Sequence, residues 1–408
     1  MRPVPSSPHR KQAGPSTARR VKAFRSGDWR QQARPTAHPP PPLAAVARAL
    51  LTWFARNARD LPWRHKRDPY AVWVSEIMLQ QTQVATVIPY WQRWMRELPT
   101  IEAVAKARPE KLRKLWEGLG YYRRVHHLQQ AARTIVRHHG GQIPETFDAL
   151  LALPGVGRYT AGAIASIAFN QPRPVLDGNV LRVLTRLVAL RADPRRSATR
   201  AYLWRLAEAL VLAASQLSRR HLRFPSPTSH GARMATGSCS MLNQSLMELG
   251  AVLCTPRQPR CDVCPLARQC AAHRLGLAAQ LPAGRKASRP EERLMAAFWV
   301  HRRGRILVRQ RPGDGLNAHL WELPNMAWNG SRRQLARRAR QILGIAPTST
   351  RPLCSLTHSI TRYRMRIELF PGDLLRPVPG ARWLTRAQLD QRPFTGLDRK
   401  LLQQLRPA

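Results

Sequence analysis

The chain has 408 residues, enough for two or three domains with separate cores. It carries 68 Lys and Arg against 23 Asp and Glu, a formal net charge of +45. That balance points to a polyanionic partner, nucleic acid first, and the lack of any apolar run of about eighteen residues argues against a membrane-spanning helix.

Residues 1–42 hold one acidic residue, Asp28, and end in Pro39 to Pro42. The stretch reads as a disordered basic arm. Its acid-poor, Arg-rich make-up also resembles an organellar transit peptide, but so many prolines oppose an amphipathic helix. From Leu43 onward apolar residues recur at three- and four-residue spacing. "AVWVSEIMLQQTQVATVIPYWQRWM" keeps that period throughout, as do "KLRKLWEGLGYYRRVHHLQQAARTIV" and "AGAIASIAFN". Turn signals at Pro62, Pro69, Pro99, Gly140–Gly141 and Pro154 separate them, predicting an all-α domain of short helices over 43–280. Residues 218–238, rich in Pro, Ser, Gly and basic residues, read as an inserted surface loop. After a linker at 281–293 the pattern becomes strand-like in "MAAFWVHRRGRILVRQR", "LWELPNMAW", "LCSLTHSITRYRMRIELF" and "GARWLT". "SRRQLARRARQILG" reads as a helix among them, so 294–402 is expected to be an α+β domain.

The most specific chemical signal is Cys254-x6-Cys261-x2-Cys264-x5-Cys270. Four clustered thiols suit a metal site in a reducing compartment. Zinc and an iron–sulfur cluster both fit four Cys ligands, and the absence of two C-x2-C pairs favours the cluster. Cys239 and Cys354 lie outside this loop and read as plain thiols. In "LPGVGRYTAG", Gly155, Val156 and Gly157 form a tight turn before a helix, and both glycines are expected to take backbone conformations that a side chain would forbid. Such a turn can bring amides and a helix N-terminus to a phosphate, or can be a simple hairpin. Asp177, in "VLDGNV", is the only acidic residue between Asp148 and Asp193. It reads as a helix N-cap, or as a carboxylate that stabilises positive charge on a sugar. Glu76 stands in an otherwise apolar helix, where burial would raise its pKa and suit it to general-acid work. Gln80, Gln81 and Gln83 follow, with amides able to bond base edges. Trp63, Tyr70, Tyr121 and Tyr122 are interleaved with these, and "GLGYYRR" suits an aromatic wedge beside phosphate-binding arginines.

Taken in order, "LPWR", "SEIMLQQTQVATVIPYW", "LWEGLGYYRR", "LPGVGRYTAGAIASIAF", "VLDGNVLRVL", "NQSLMELGAVLC" and the Cys loop resemble the MutY-type adenine DNA glycosylases. These belong to the helix–hairpin–helix, endonuclease III-like superfamily. The resemblance is dense over 43–280 and looser over 294–402. It implies a multidomain fold: an all-α helix–hairpin–helix domain with an Fe–S loop, then an α+β Nudix-like domain. It implies removal of adenine mispaired with 8-oxoguanine or guanine, after the base is flipped from the duplex. Glu76 matches the catalytic acid, Asp177 the residue that stabilises the sugar cation, and Asn179 its support. Gln81 and Tyr121 match residues around the orphan base, and Arg64 an active-site arginine of some members. The four loop cysteines match [4Fe–4S] ligands. Tyr159 stands where strand-cleaving relatives carry a nucleophilic lysine, which implies a monofunctional enzyme.

The implied partner is double-stranded DNA with A:8-oxoguanine or A:G mispairs, met by a monomer in the cytoplasm, on the nucleoid. Two departures stand out. In "HSITRYRM" Thr361 replaces the family's serine and Arg362 its histidine in the lesion-reading loop, and the 218–238 insertion has no counterpart. A strand-cleaving glycosylase, a non-catalytic Fe–S DNA-binding protein and a Nudix hydrolase are the competing readings. Tyr159 opposes the first, Glu76 with Asp177 the second, and the missing glutamates of "RRQLARRARQILG" the third.

Overall fold

The computed structural model describes residues 37–65, 68–217, 237–284, 290–313, 315, 317–360 and 363–405. The expectations for the arm at 1–36, for nearly all of the 218–238 loop, and for Thr361 and Arg362 lie outside these residues. Helices open the chain: α1 (Leu43–Asn57), α2 (Pro69–Leu79), α3 (Val84–Glu97), α4 (Ile101–Lys106), α5 (Pro109–Leu115) and α6 (Arg123–His138). They continue as α7 (Phe147–Leu151), α8 (Arg158–Ile167), α9 (Gly178–Leu187), α10 (Ser197–Ser215), α11 (Ser238–Val252) and α12 (Ala271–Arg274). Among the described residues no helix is long and apolar enough to cross a membrane.

Two apolar cores hold the helices together. One gathers α2, α3 and α6 around Trp73, Trp94 and Trp116. The other gathers α1, α9, α10 and α11 around Phe54, Leu184, Leu210 and Leu246. Helix α8 belongs to both, with Ala161 and Ile164 in the first and Ala163 in the second. A Cβ on Gly162 would collide with the Pro174 carbonyl, so glycine lets the segment leading into α9 lie tight against α8. The seam between the cores is thus where α2 faces α9 and α11 across α8.

Helix α2 starts at Asp68, whose carboxylate accepts the Tyr70 N–H at 2.9 Å, with Pro69 at the first helical position. Tyr70 through Met78 are all buried, so α2 runs through the middle of the domain and takes Glu76 in with it. The helical period of the sequence runs on past its end, but the helix does not. It stops at Leu79, Gln81 turns to a φ of 56°, and α3 begins at Val84.

The C-terminal strands are β1 (Glu291–Trp299), β2 (His301–Arg302), β3 (Arg305–Gln310), β4 (Trp321–Glu322), β5 (Asn325–Ala327), β6 (Ile345–Pro347), β7 (Cys354–Ile360), β8 (Tyr363–Leu374) and β9 (Ala381–Thr385). Strand β1 pairs parallel with β8, and β5 covers its other edge. Strands β7 and β6 pair antiparallel with β8. A second sheet centres on β3, flanked by β2, β4 and β9. Helix α13 (Arg332–Leu343) ends at Gly344 in the left-handed conformation and carries no carboxylate. Two further helices, α14 (Arg386–Gln391) and α15 (Gly396–Gln404), close the chain. They and β6 are too short to show a period in the sequence.

Two carboxylates of the helical part meet the C-terminal part. Glu110 accepts Arg392 Nη1 on both oxygens at 2.7 Å. Glu117 accepts Arg399 Nε and the Phe394 N–H, each at 2.9 Å.

Candidate active site

A cavity of about 700 Å³ lies at the seam between the two helical cores. It falls within the roughly 300–1,000 Å³ common for small-ligand sites. Glu76, Tyr159, Asp177 and Asn179 line it, joined by Arg64 and Gln81. Residues from positions far apart in sequence therefore share one chamber. Tyr121 and the Gly155–Gly157 turn are not part of its lining.

Glu76 is 5% exposed and accepts a hydrogen bond from the Tyr159 hydroxyl at 2.8 Å. Burial pushes its carboxyl up to about 7, the Tyr159 bond opposes this, and the nearby Asp177 charge adds to it. A group with that value is still substantially protonated near neutral pH and can release its proton to a substrate. Burial, then the charges of Glu76 and Asp177, hold the Tyr159 phenol well above its ordinary value, so it stays protonated and serves as a donor.

Asp177 is the N-cap of α9 and also faces the cavity, so its two sequence readings are compatible. Its Oδ1 accepts the Val180 N–H at 2.7 Å and its Oδ2 accepts Asn179 Nδ2 at 3.0 Å. Burial raises its pKa, while these hydrogen bonds work the other way. Behind it, Arg182 Nη2 donates to Asn179 Oδ1 at 2.8 Å, and Arg182 also donates to the Gly250 and Cys254 carbonyls at 2.7 Å. One turn further on, Arg186 donates to Cys254 Sγ at 3.2 Å. Helix α9 thereby connects the cavity to the cysteine loop.

Sequence reasoning missed Gln244 and Glu248, both on the cavity wall. Arg64 Nε donates to Gln244 Oε1 and its Nη2 to Glu248 Oε2, both at 3.0 Å, and Arg59 Nε reaches Glu248 Oε1 at 2.6 Å. Glu248 gives the same signal as Glu76, an acid in an apolar helix. Burial pushes Glu248 up, but the hydrogen bonds and charges of Arg59 and Arg64 outweigh it and hold its carboxyl below the usual range. The two buried carboxyls are therefore pushed apart, Glu76 toward the protonated form and Glu248 toward the ionised one.

The turn between α7 and α8 is more specific than its sequence suggests. Gly155 has φ 76°, and a Cβ there would strike His127. Gly157 is extended, a conformation open to any residue, and a Cβ there would meet nothing. The expectation that both glycines are conformationally required is thus corrected at Gly157. Val156 is buried and its N–H donates to Leu153 O at 3.1 Å, so it anchors the turn rather than presenting an amide. No side chain caps α8, which leaves the amides of its first turn for a ligand.

Cys254, Cys261, Cys264 and Cys270 line one small cavity beside Arg186. Among the described residues no three His, Cys, Asp or Glu side chains converge on a single metal ion. Four cysteines around one shared void offer the all-thiol donor set that an iron–sulfur cluster or a zinc ion takes. Burial, with the charges of the other three cysteines adding, pushes the Cys264 thiol up to about 12.

Residues 74–209 match the HhH-GPD superfamily of base excision DNA repair proteins, and residues 295–404 match the NUDIX domain. The adenine DNA glycosylase of Rattus norvegicus is 39% identical over 406 residues, covering 84% of this chain and 74% of that protein. That of Homo sapiens is 38% identical over 411 residues, covering 85% and 71%. The chain belongs to the adenine DNA glycosylase family. As a member of it, the protein is a DNA repair enzyme that hydrolyses an N-glycosyl bond. Among solved structures, a thermostable thymine-DNA glycosylase is similar at 28% identity and a TM-score of 0.47, covering 57% of this chain and 97% of that one.

Proposed function

We propose that this glycosylase removes adenine mispaired with 8-oxoguanine or guanine, by hydrolysis alone, after flipping it out of the duplex. The observation that carries the reading is the convergence of Glu76, Tyr159 and Asp177 on one buried cavity. A base stacked in a duplex cannot reach a carboxyl at that depth, so it has to be extruded.

Glu76 delivers its proton to adenine N7, which weakens the bond from C1′ to N9. That bond breaks, its electron pair leaves with adenine, and positive charge builds on the sugar. The Asp177 carboxylate, steadied by Asn179, stabilises this charge. Water then adds to C1′ and loses a proton, leaving free adenine and an abasic site. Arg64, fixed by Gln244 and Glu248, presents its guanidinium to the base. Gln81 and Tyr121 enter the duplex beside the orphan base, while Gly155, Gly157 and the start of α8 hold a backbone phosphate.

The assay that tests this uses duplexes with A:8-oxoguanine, A:G and A:T, split into portions with and without alkali. Breaks are expected only after alkali and only in the first two. Breaks without alkali, or equal release from A:T, would overturn the reading.

Tyr159 is a phenol and cannot form an imine, so no strand-cleaving step is available to it. Borohydride should trap little covalent complex with the wild type and some with Tyr159→Lys. Strong trapping by the wild type would contradict monofunctional chemistry.

The four loop cysteines are assigned to a [4Fe–4S] cluster. When bound, it replaces the thiol protons with metal bonds and cross-links the loop. Cys264→Ser should bring bound iron below about four per chain and lower the melting temperature. Unchanged iron in the variant would remove Cys264 from the ligand set.

A further inference from the structure

We infer that Arg124 is a positioning residue, one buried guanidinium that holds the turns of Gln81 and Tyr121 in the shape from which both enter the duplex. The inference rests on the base-flipping reading above. Gln81 and Tyr121 come from separate segments, the α2–α3 break and the α5–α6 turn, yet they share an unusual feature. Both are non-glycine residues with left-handed backbones, φ 56° and 49°. Both are exposed. Side chains rarely adopt this conformation unless the surroundings impose it.

Arg124 imposes it on both turns at once. Its Nη1 donates to Ile77 O and Met78 O at 2.9 Å and to Gln80 O at 2.7 Å. Its Nη2 donates to Leu119 O at 2.9 Å, Gly120 O at 3.0 Å and Thr82 Oγ1 at 3.3 Å. The first group closes the end of α2, whose last carbonyls have no partner within the helix. The second holds the two carbonyls just ahead of Tyr121. Tyr121 O in turn accepts the Arg124 N–H at 2.9 Å. The guanidinium carbon lies 5.2 Å from the centre of the Trp116 ring and 5.6 Å from that of Tyr121. A planar fork reaches all these acceptors, whereas a lysine ammonium is a single point with three donors. Arg124 does not line the cavity, so its effect falls on extrusion rather than on the chemistry at the base.

The test uses the full chain and a duplex with 2-aminopurine next to the adenine mispaired with 8-oxoguanine. Fluorescence reports extrusion, single-turnover release reports catalysis, and melting temperature reports folding. Arg124→Lys should lose most of the fluorescence rise and release adenine roughly a hundredfold more slowly, the scale of a small misplacement. Its affinity for an undamaged duplex should stay close to that of the wild type. In a background carrying both Gln81→Ala and Tyr121→Ala, Arg124→Lys should add no further loss, because it acts through those residues.

If Gln81→Ala and Tyr121→Ala leave the fluorescence rise intact, the flipping role of these residues falls. If they reduce it but Arg124→Lys does not, or if the losses add in full, the Arg124 inference is overturned. Arg124→Met should go further than the lysine variant. Where Arg124→Met fails to fold, Arg124→Lys decides.

Discussion

Glu76→Gln should slow single-turnover release of adenine from an A:8-oxoguanine duplex by roughly 10²–10⁴-fold, the usual contribution of a positioned acid, while leaving duplex binding in place. Glutamine keeps the shape and can still meet the Tyr159 hydroxyl, but it has no proton to give at neutral pH. The wild-type rate should fall as pH rises through about 7, where Glu76 loses its proton. At the acid end the rate should fall as Asp177 becomes protonated, at a pH above the ordinary aspartate range because burial raises that group. Stability should share this preference for the protonated form. In the unfolded chain Glu76 has its ordinary value of 4.5, and in the folded chain about 7. The fold therefore gains from protonation below 4.5 and loses that gain as pH rises through 7. Glu76→Gln removes the burden of the ionised form, so the variant should melt higher than the wild type at pH 8, with the difference gone by pH 4. Wild-type turnover by the variant would make the general-acid assignment wrong.

Asp177→Asn should cost roughly 10²–10³-fold in release, the scale of losing one preorganised electrostatic partner of the transition state. The substitution separates two roles carried by one side chain. Asparagine caps a helix about as well as aspartate, so its oxygen can still accept the Val180 N–H and α9 should begin where it does now. The negative charge facing the sugar is lost, and with it the acceptor for Asn179 Nδ2. The melting temperature should therefore move less than in a variant that also loses the cap. Asp177→Ala removes the cap as well, and should lower stability by about 1 kcal/mol in addition to stopping release. An Asp177→Asn enzyme with full activity, measured under single turnover, would leave Asp177 as a cap alone.

Much of this site is legible in the sequence because its signals are local. A lone acid in an apolar helix, a lone aspartate before a helix, and four cysteines in one loop each announce themselves without tertiary information. The same locality explains the omissions. Glu76 and Glu248 look alike in the sequence, and only the arrival of Arg59 and Arg64 from the other end of the domain shows that Glu248 is neutralised. The helical period runs unbroken from α2 into α3, so the break at Gln81 is invisible until Arg124 is seen capping α2 from another helix. In the Gly155–Gly157 turn the two glycines look equivalent, yet only Gly155 lies against a neighbouring side chain and needs its positive φ. The strands and helix of the C-terminal part were readable from alternation and period, whereas β6 and α14 have three and six residues and are set by pairing and capping.

The central claim is that Glu76 protonates adenine at N7 inside the cavity. Its most direct test replaces the mispaired adenine with 7-deazaadenine opposite 8-oxoguanine, which keeps the base's shape and pairing edge but has no nitrogen at position 7. The enzyme should bind this duplex about as well as the natural one and release no base from it. Release at the adenine rate would contradict the account.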